Sequence, residues 1–231
     1  MQTQNENKTG RLSLVATPIG NLEDITLRAM RTLKECDLIA CENTSEAQKL
    51  LKHYEVSTPT TVFFSNSKLS HIDKIMATLK DGGHVALISD AGTPCISDPG
   101  VLILNRVREE LPECVIESIP GASALTVAVS LAGIVGNRFN FLGFVPNKKG
   151  RETLVKSVAA DENASVMYES VHRIEKLLES FALYMPDRQV VICRELTKMY
   201  EQVVRGTSLE VAEYFKNNQD KVRGEFVVIV I

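Results

Sequence analysis

Ten short runs rich in Val, Ile and Leu punctuate this chain, and helical patterns with apolar residues three and four apart fill most of the spaces between them. Such alternation restricts the fold to α/β architecture built from βα units. In the first half the expected strands are 12–16, 38–41, 62–64, 85–89 and 115–118. Several are continuous apolar runs, as expected of a mostly parallel five-stranded sheet covered by helices on both faces. In the second half they are 139–142, 164–168, 190–193, a weaker run at 200–204, and 226–231. No long helix precedes the run near residue 200, so the second sheet is expected to be mixed. The length of 231 residues allows one large or two small domains, and the two series of strands favour two. The boundary is expected near residues 121–125, giving a polar disordered tail at 1–10, a first domain at 11–122 and a second at 123–231.

Local signals refine this outline. The segment 171–185 is expected to be a core helix, with Ile174, Leu177, Leu178 and Phe181 on one face and Ser170 as N-cap. A helix is expected at 44–53, and another from Pro99 to near Leu111 with Asp98 as its N-cap. The uncharged stretch 122–135 is too short and too interrupted to span a membrane and is expected to be a buried helix. A net charge of −3 removes any whole-surface argument for nucleic-acid binding. Five cysteines without CxxC spacing fit free thiols in a reducing, cytoplasmic setting rather than a disulfide framework. The histidines His53, His71, His84 and His172 show no metal-ligand spacing, so no metal is expected. Of these only His172, at the start of a helix, is a candidate for chemistry.

The stretch SDAGTPCISDPG at 89–100 carries the strongest hint of a ligand. It follows an apolar strand and packs two proline turns and two glycines into twelve residues. Glycine allows close backbone approach, proline stiffens the turns, and the ends of parallel strands are where open α/β sheets bind ligands.

Read with its neighbours, this loop is one of eight motifs in a recognisable order. They are ATPIGNLEDITLRA at 16–29, DLIACENT at 37–44, ALISDAGTPCISDPG at 86–100, IPGASA at 119–124, FLGFVP at 141–146, MYESVHR at 167–173, CRELTK at 193–198 and GEFVVIV at 224–230. Together they resemble the tetrapyrrole methylase superfamily of S-adenosylmethionine (SAM) dependent methyltransferases. Within it they are most similar to the bacterial 16S rRNA cytidine-2'-O-methyltransferases. The resemblance implies two α/β domains with SAM in the cleft between them, usually a homodimer. It also implies a cytoplasmic enzyme that acts on a cytidine ribose in the decoding region of the small ribosomal subunit.

Carried over residue by residue, the resemblance assigns SAM contacts to Ile19, Ser89, Asp90, Ala91, Gly92, Thr93, Ile96, Ser123, Ala124, Tyr168 and Glu225. Ile96 is suited to packing on the adenine. For chemistry it offers Glu42, Glu169 and Glu195 as carboxylates and Arg194 and Lys198 as cations. A ribose hydroxyl is a poor nucleophile, so a base or a nearby positive charge is expected. The structural alternatives are that Glu42 caps the helix at 44–53 and that the RELTK charges form one ion-pair network. RNA contacts would come from Lys148, Lys149 and Arg151, with Arg28 and Arg31.

Three departures stand out. Glu42, Asn43, Thr44 and Ser45 replace the family's usual Glu-Asp-Thr-Arg. The segment at 63–67 lacks a histidine-rich pattern, and the sequence stops at Ile231 where many relatives continue. They leave two other readings open: transfer to a different acceptor, such as a tetrapyrrole-like molecule or another RNA, and a SAM-binding relative without transfer activity.

Overall fold

The computed structural model describes residues 9–63, 69–136, 138–147 and 149–231. Most of the expected tail, the segment at 64–67 and Lys148 lie outside the described residues. The chain divides into two compact units, Met1–Ser123 and Ala124–Ile231.

The first unit opens with β1 (Arg11–Val15), α1 (Leu27–Glu35), β2 (Leu38–Cys41), α2 (Thr44–His53) and β3 (Thr60–Val62). It continues with α3 (Leu69–Lys80), β4 (His84–Leu87), α4 (Gly100–Glu110) and β5 (Val115–Ile119). The five strands lie in the order β3-β2-β4-β1-β5, and every pairing is parallel. Alternate residues of β1 serve two cores. Leu12 packs with Leu38, Val85, Leu87 and Ile103 on one face, and Val15 packs with Ala29, Leu33, Ile39 and Ile88 on the other. This is why the strands read as continuous apolar runs.

Ser13 is buried on the second of these faces without an orphaned hydroxyl. It donates to Glu117 Oε1 at 2.7 Å and lies 2.7 Å from His84 Nε2. One hydroxyl has one proton to give, so the imidazole carries hydrogen on Nε2 and donates to Ser13.

The second unit runs α5 (Ala124–Ala132), β6 (Phe139–Phe144), α6 (Arg151–Ala160), β7 (Ala164–Ser170) and α7 (Ile174–Tyr184). Then come β8 (Gln189–Arg194), β9 (Gln202–Thr207), α8 (Ser208–Asn217) and β10 (Glu225–Val230). Its sheet is mixed, in the order β6-β7-β10-β8-β9, with β6 parallel to β7 and the other pairings antiparallel. Its core joins Met167, Ile174, Leu177, Phe181, Phe215 and Phe226.

Four local expectations are corrected. The third strand is Thr60–Val62, displaced toward the N-terminus because β-branched Thr60 and Thr61 pair with Ile39 and Ala40. The N-cap of α4 is Pro99, one residue later than expected. Asp98 serves the same end from outside, accepting from the Ile96 and Gly100 amides at 3.2 and 2.9 Å. The cap of α7 is Arg173, because Ser170 is still the last residue of β7. Finally, α5 is not a buried helix. Only Ala128 and Ala132, a turn apart, are covered, and Leu131 is 45% exposed. An uncharged sequence does not specify which side will be covered, and here the small residues face inward.

Candidate functional site

In the first unit the 89–100 loop is tied back onto β1. Thr17 and Gly92 exchange backbone hydrogen bonds of 2.9 and 3.0 Å. The Thr17 hydroxyl donates to the carbonyl of Ser89 at 3.3 Å, and the Ser89 hydroxyl donates to the carbonyls of Ala91 and Gly92. Gly92 has φ +80, and a Cβ there would sit 3.2 Å from Ile19 Cγ2 and 3.6 Å from the Ala122 carbonyl. Side-chain-bearing residues rarely adopt that conformation, so this position calls for glycine. Thr93 extends the tie by donating to the Ala122 carbonyl at 3.1 Å, one residue from Ser123. Ala91 and Ile96 face outward on the loop.

Glu42 stands beside this loop at the end of β2. Its Oε1 accepts from the Asp90 amide at 3.3 Å. Burial, then the negative charges of Asp98 and Asp90, push its pKa up to about 7, against the pull of that amide. Burial also raises Asp90, where the Asn43 amide opposes it. Glu42 is not the cap of α2: Asn43 is, accepting from the Ser45 amide at 2.9 Å. The Asn43 that departs from the family pattern therefore has a structural task. Arg28 and Arg31 lie exposed on α1.

The second unit gathers the other candidates in two places. Tyr168 on β7 meets the rings of Phe141 and Phe144 edge-on, at 5.1 and 5.4 Å between centroids. Burial raises its pKa, eased by the backbone of Leu125 beside Ala124. Next on the strand, the Glu169 side chain is wholly buried. It pairs with Arg173 at 2.7 Å and Arg151 at 3.4 Å and accepts from the Ser170 amide at 2.8 Å. Burial raises its pKa above the usual carboxylate range, against the pull of the Ser170 amide, Arg173 and Arg151. Its oxygens are thus committed to fastening β7 to the start of α6 and the turn before α7. Arg151, named as an RNA contact, belongs to that fastening, while Lys149 and His172 are exposed.

The other place is the connection between β8 and β9. Lys198 bridges Glu195 at 2.8 Å and Glu225 at 2.9 Å. Burial disfavours charge on both Glu195 and Lys198, but their mutual pairing lowers the carboxyl and raises the amine. Glu195 also accepts from the Glu225 amide at 3.0 Å, packing so closely on Gly224 (φ +83) that a Cβ there would collide with its carboxyl group. Arg194 is buried, and its guanidinium donates to Gln202 Oε1 and to the carbonyls of Tyr200 and Arg223. Of the RELTK charges, Glu195 and Lys198 form one ion-pair network with Glu225, while Arg194 stands outside it, bonded to neutral acceptors.

The geometry therefore brings Glu42, Asp90, Gly92, Thr93 and Ile19 together on one unit. It brings Arg194, Glu195, Lys198 and Glu225 together on the other, with Glu169 apart from them. Sequence reasoning missed the tasks of Thr17, Asp98 and Gln202, which are long-range hydrogen bonds or fields; Thr17 had a signal in its place within ATPIGN, and Asp98, read only as a helix cap, had one in its place within SDAGTPCISDPG. Among the described residues no group of three His, Cys, Asp or Glu side chains is placed to hold a metal, and no helix is long and apolar enough to cross a membrane.

The family model for tetrapyrrole (corrin/porphyrin) methylases matches residues 11–212. This chain belongs to that family. Among its relatives, the ribosomal RNA small subunit methyltransferase I of Halalkalibacterium halodurans is 40% identical over 98% of this chain and 78% of its own length. The protein of the same name from Thermotoga maritima is 40% identical over 96% of this chain and 98% of its own. A crystal structure of a diphthine synthase shares the fold, with a TM-score of 0.74 at 14% identity over 96% of this chain and 89% of that one. Tetrapyrrole methylases are SAM-dependent methyltransferases, and this chain is one. The 89–100 loop exposes the apolar side chain of Ile96 and the carboxylate of Asp90, chemistry compatible with the apolar ring and polar sugar of SAM.

Proposed function

We propose that this tetrapyrrole methylase transfers the methyl group of SAM to the 2'-oxygen of one cytidine ribose in the decoding region of 16S rRNA, within the small ribosomal subunit, in the cytoplasm. The observation that carries this reading is the near-complete overlap, at 40% identity, with proteins named for methylation of small-subunit ribosomal RNA. The family's homodimer is proposed with it, and light scattering reads that state directly.

Bound SAM supplies an electrophilic methyl group. Gly92, Ala91, Ser89, Asp90, Thr93, Ile19 and Ile96 on the first unit, and Ser123 beside them, are proposed to hold it, with Ala124, Tyr168 and Glu225 on the second. The loop contributes orientation: Thr17 and Ser89 take its carbonyls inward, which leaves the backbone at 91–93 fixed. Glu42 is proposed as the base for the ribose hydroxyl. A carboxyl group with a pKa of about 7 is matched to proton transfer at neutral pH, whereas an ordinary glutamate is too weak a base. Arg194 and Glu169 are proposed to act as positioning residues, because their polar atoms already hold backbone or ion-pair partners. Lys198, whose ammonium keeps one of its three N–H donors beyond those given to Glu195 and Glu225, is the cation proposed to steady negative charge developing on the acceptor oxygen.

The deciding experiment supplies labelled SAM to small subunits lacking the cytidine modification, with free 16S rRNA alongside, and maps the label. Incorporation at a single cytidine ribose is the expected result. Label on a base or on another RNA, or no label despite measured SAM binding, overturns the reading.

A further inference from the structure

The seven residues joining β8 to β9 are held more firmly than a connection between antiparallel strands requires. Glu195 and the β-branched Thr197 sit at φ +51 and +65, where side-chain-bearing residues are disfavoured and which tends to mark functional loops. The Thr197 amide donates to Glu201 at 2.6 Å, while its hydroxyl is buried without a hydrogen-bond partner among the described residues. From below, Arg194 donates to the Tyr200 carbonyl at 3.2 Å and to the Arg223 carbonyl at 3.3 Å. Gln202, a third acceptor of Arg194, donates in turn to the Tyr214 hydroxyl at 2.6 Å.

This rigid loop lifts its apolar side chains away from the protein. Met199 is 89% exposed and Tyr200 is 69% exposed. The two carbonyls held by Arg194 accept from nitrogens bonded to one guanidinium carbon, so residues 200 and 223 are backbone neighbours. Arg223 is also exposed, and among the described residues its guanidinium makes no hydrogen bond or ion pair. An exposed aromatic side chain and an unpaired cation are therefore carried on neighbouring stretches of backbone held by one guanidinium. The nearby Glu225 carboxylate is paired with Lys198, which it shares with Glu195.

We propose that Tyr200 and Arg223 grip one unpaired nucleotide of the substrate RNA, the tyrosine ring stacking on its base and the guanidinium meeting a neighbouring phosphate. The proposal rests on the ribosomal RNA reading above and adds to it a recognition element that no part of the methyl-transfer site provides. A single aromatic set among exposed charges, Glu201 and Arg223 included, suits a nucleotide. The apolar centre of an interface between protein chains is depleted of such charges.

The test uses the full chain. Wild-type protein is first scored for transfer to small subunits, then compared with Tyr200→Ala, Tyr200→Trp and Arg223→Gln. Loss of the ring is expected to raise KM for the RNA substrate roughly tenfold while SAM affinity stays unchanged by calorimetry, and Tyr200→Trp restores the wild-type value. Arg223→Gln is expected to weaken binding and to reduce the slope of log affinity against log salt by about one. An unchanged KM in Tyr200→Ala, with wild-type transfer intact, overturns the grip and leaves the RNA reading standing. Wild-type protein that binds SAM but labels no ribosomal substrate overturns both. If Tyr200→Ala instead alters the oligomeric state in light scattering, the tip belongs to a contact between copies, and the grip is overturned.

Discussion

Glu42 is half protonated near pH 7, and this has two measurable consequences. As the proposed base, it acts only when ionised, so kcat/KM falls on an acid limb near pH 7. Glu42→Gln is expected to abolish that limb and to slow transfer roughly a hundredfold or more, with little change in SAM affinity. Asp98→Asn removes one of the negative charges that raise Glu42 and should move the limb to lower pH. The second consequence is for stability. The folded state keeps a proton that the unfolded chain releases near pH 4.5, so stability present below that pH is lost as pH rises through about 7. Glu42→Gln is therefore expected to melt above wild type at pH 8 and level with it at pH 4. Thermal melts at the two pH values check the sign.

Among the elements, local chemistry decides boundaries that periodicity leaves loose. The clearest case is the start of α8, where Thr207 accepts from the Glu210 amide and Glu210 accepts from the Thr207 amide. Thr207→Ala should cost about 1 kcal/mol and leave transfer unaffected, since neither side chain meets a site residue; denaturant unfolding and the methyl-transfer assay test the two halves of that expectation. Helix α2 was legible from sequence to the residue, but its cap was not, since the carboxylate of Glu42 suggests a cap until the Ser45 amide is seen to point at Asn43. Strands of both sheets were legible because their apolar runs are dense. The expected 200–204 run begins two residues before β9 because the exposed Tyr200 looks like a strand residue by composition. The candidate site was legible as motifs, through Gly92 and the loop around it. The field of Asp98 on Glu42 and the three bonds of Arg194 were not, because each joins residues whose proximity only the fold creates.

For the whole molecule, ligand binding and stability are one measurement. SAM at a hundredfold its Kd should stabilise the protein by about 2.7 kcal/mol. Gly92→Val should lower the melting temperature modestly, through a strained φ and the 3.2 Å approach to Ile19, and should erase the SAM-induced increase. A preserved increase would remove the 89–100 loop from the cofactor site. The two sheets also differ in when they can exist. In the first, the neighbours of β1 and β4 have all been made once β5 emerges. In the second, β10 is the middle strand, between β7 and β8, yet it is the last of its five to leave the ribosome. Phe226 and Val228, which close that unit's core, arrive with it. During synthesis the first unit can thus be native while β7 and β8 still wait, unpaired with each other, for the strand that will separate them. A nascent chain stalled before residue 225 should accordingly expose those two strands to proteases or chaperones while the first unit resists.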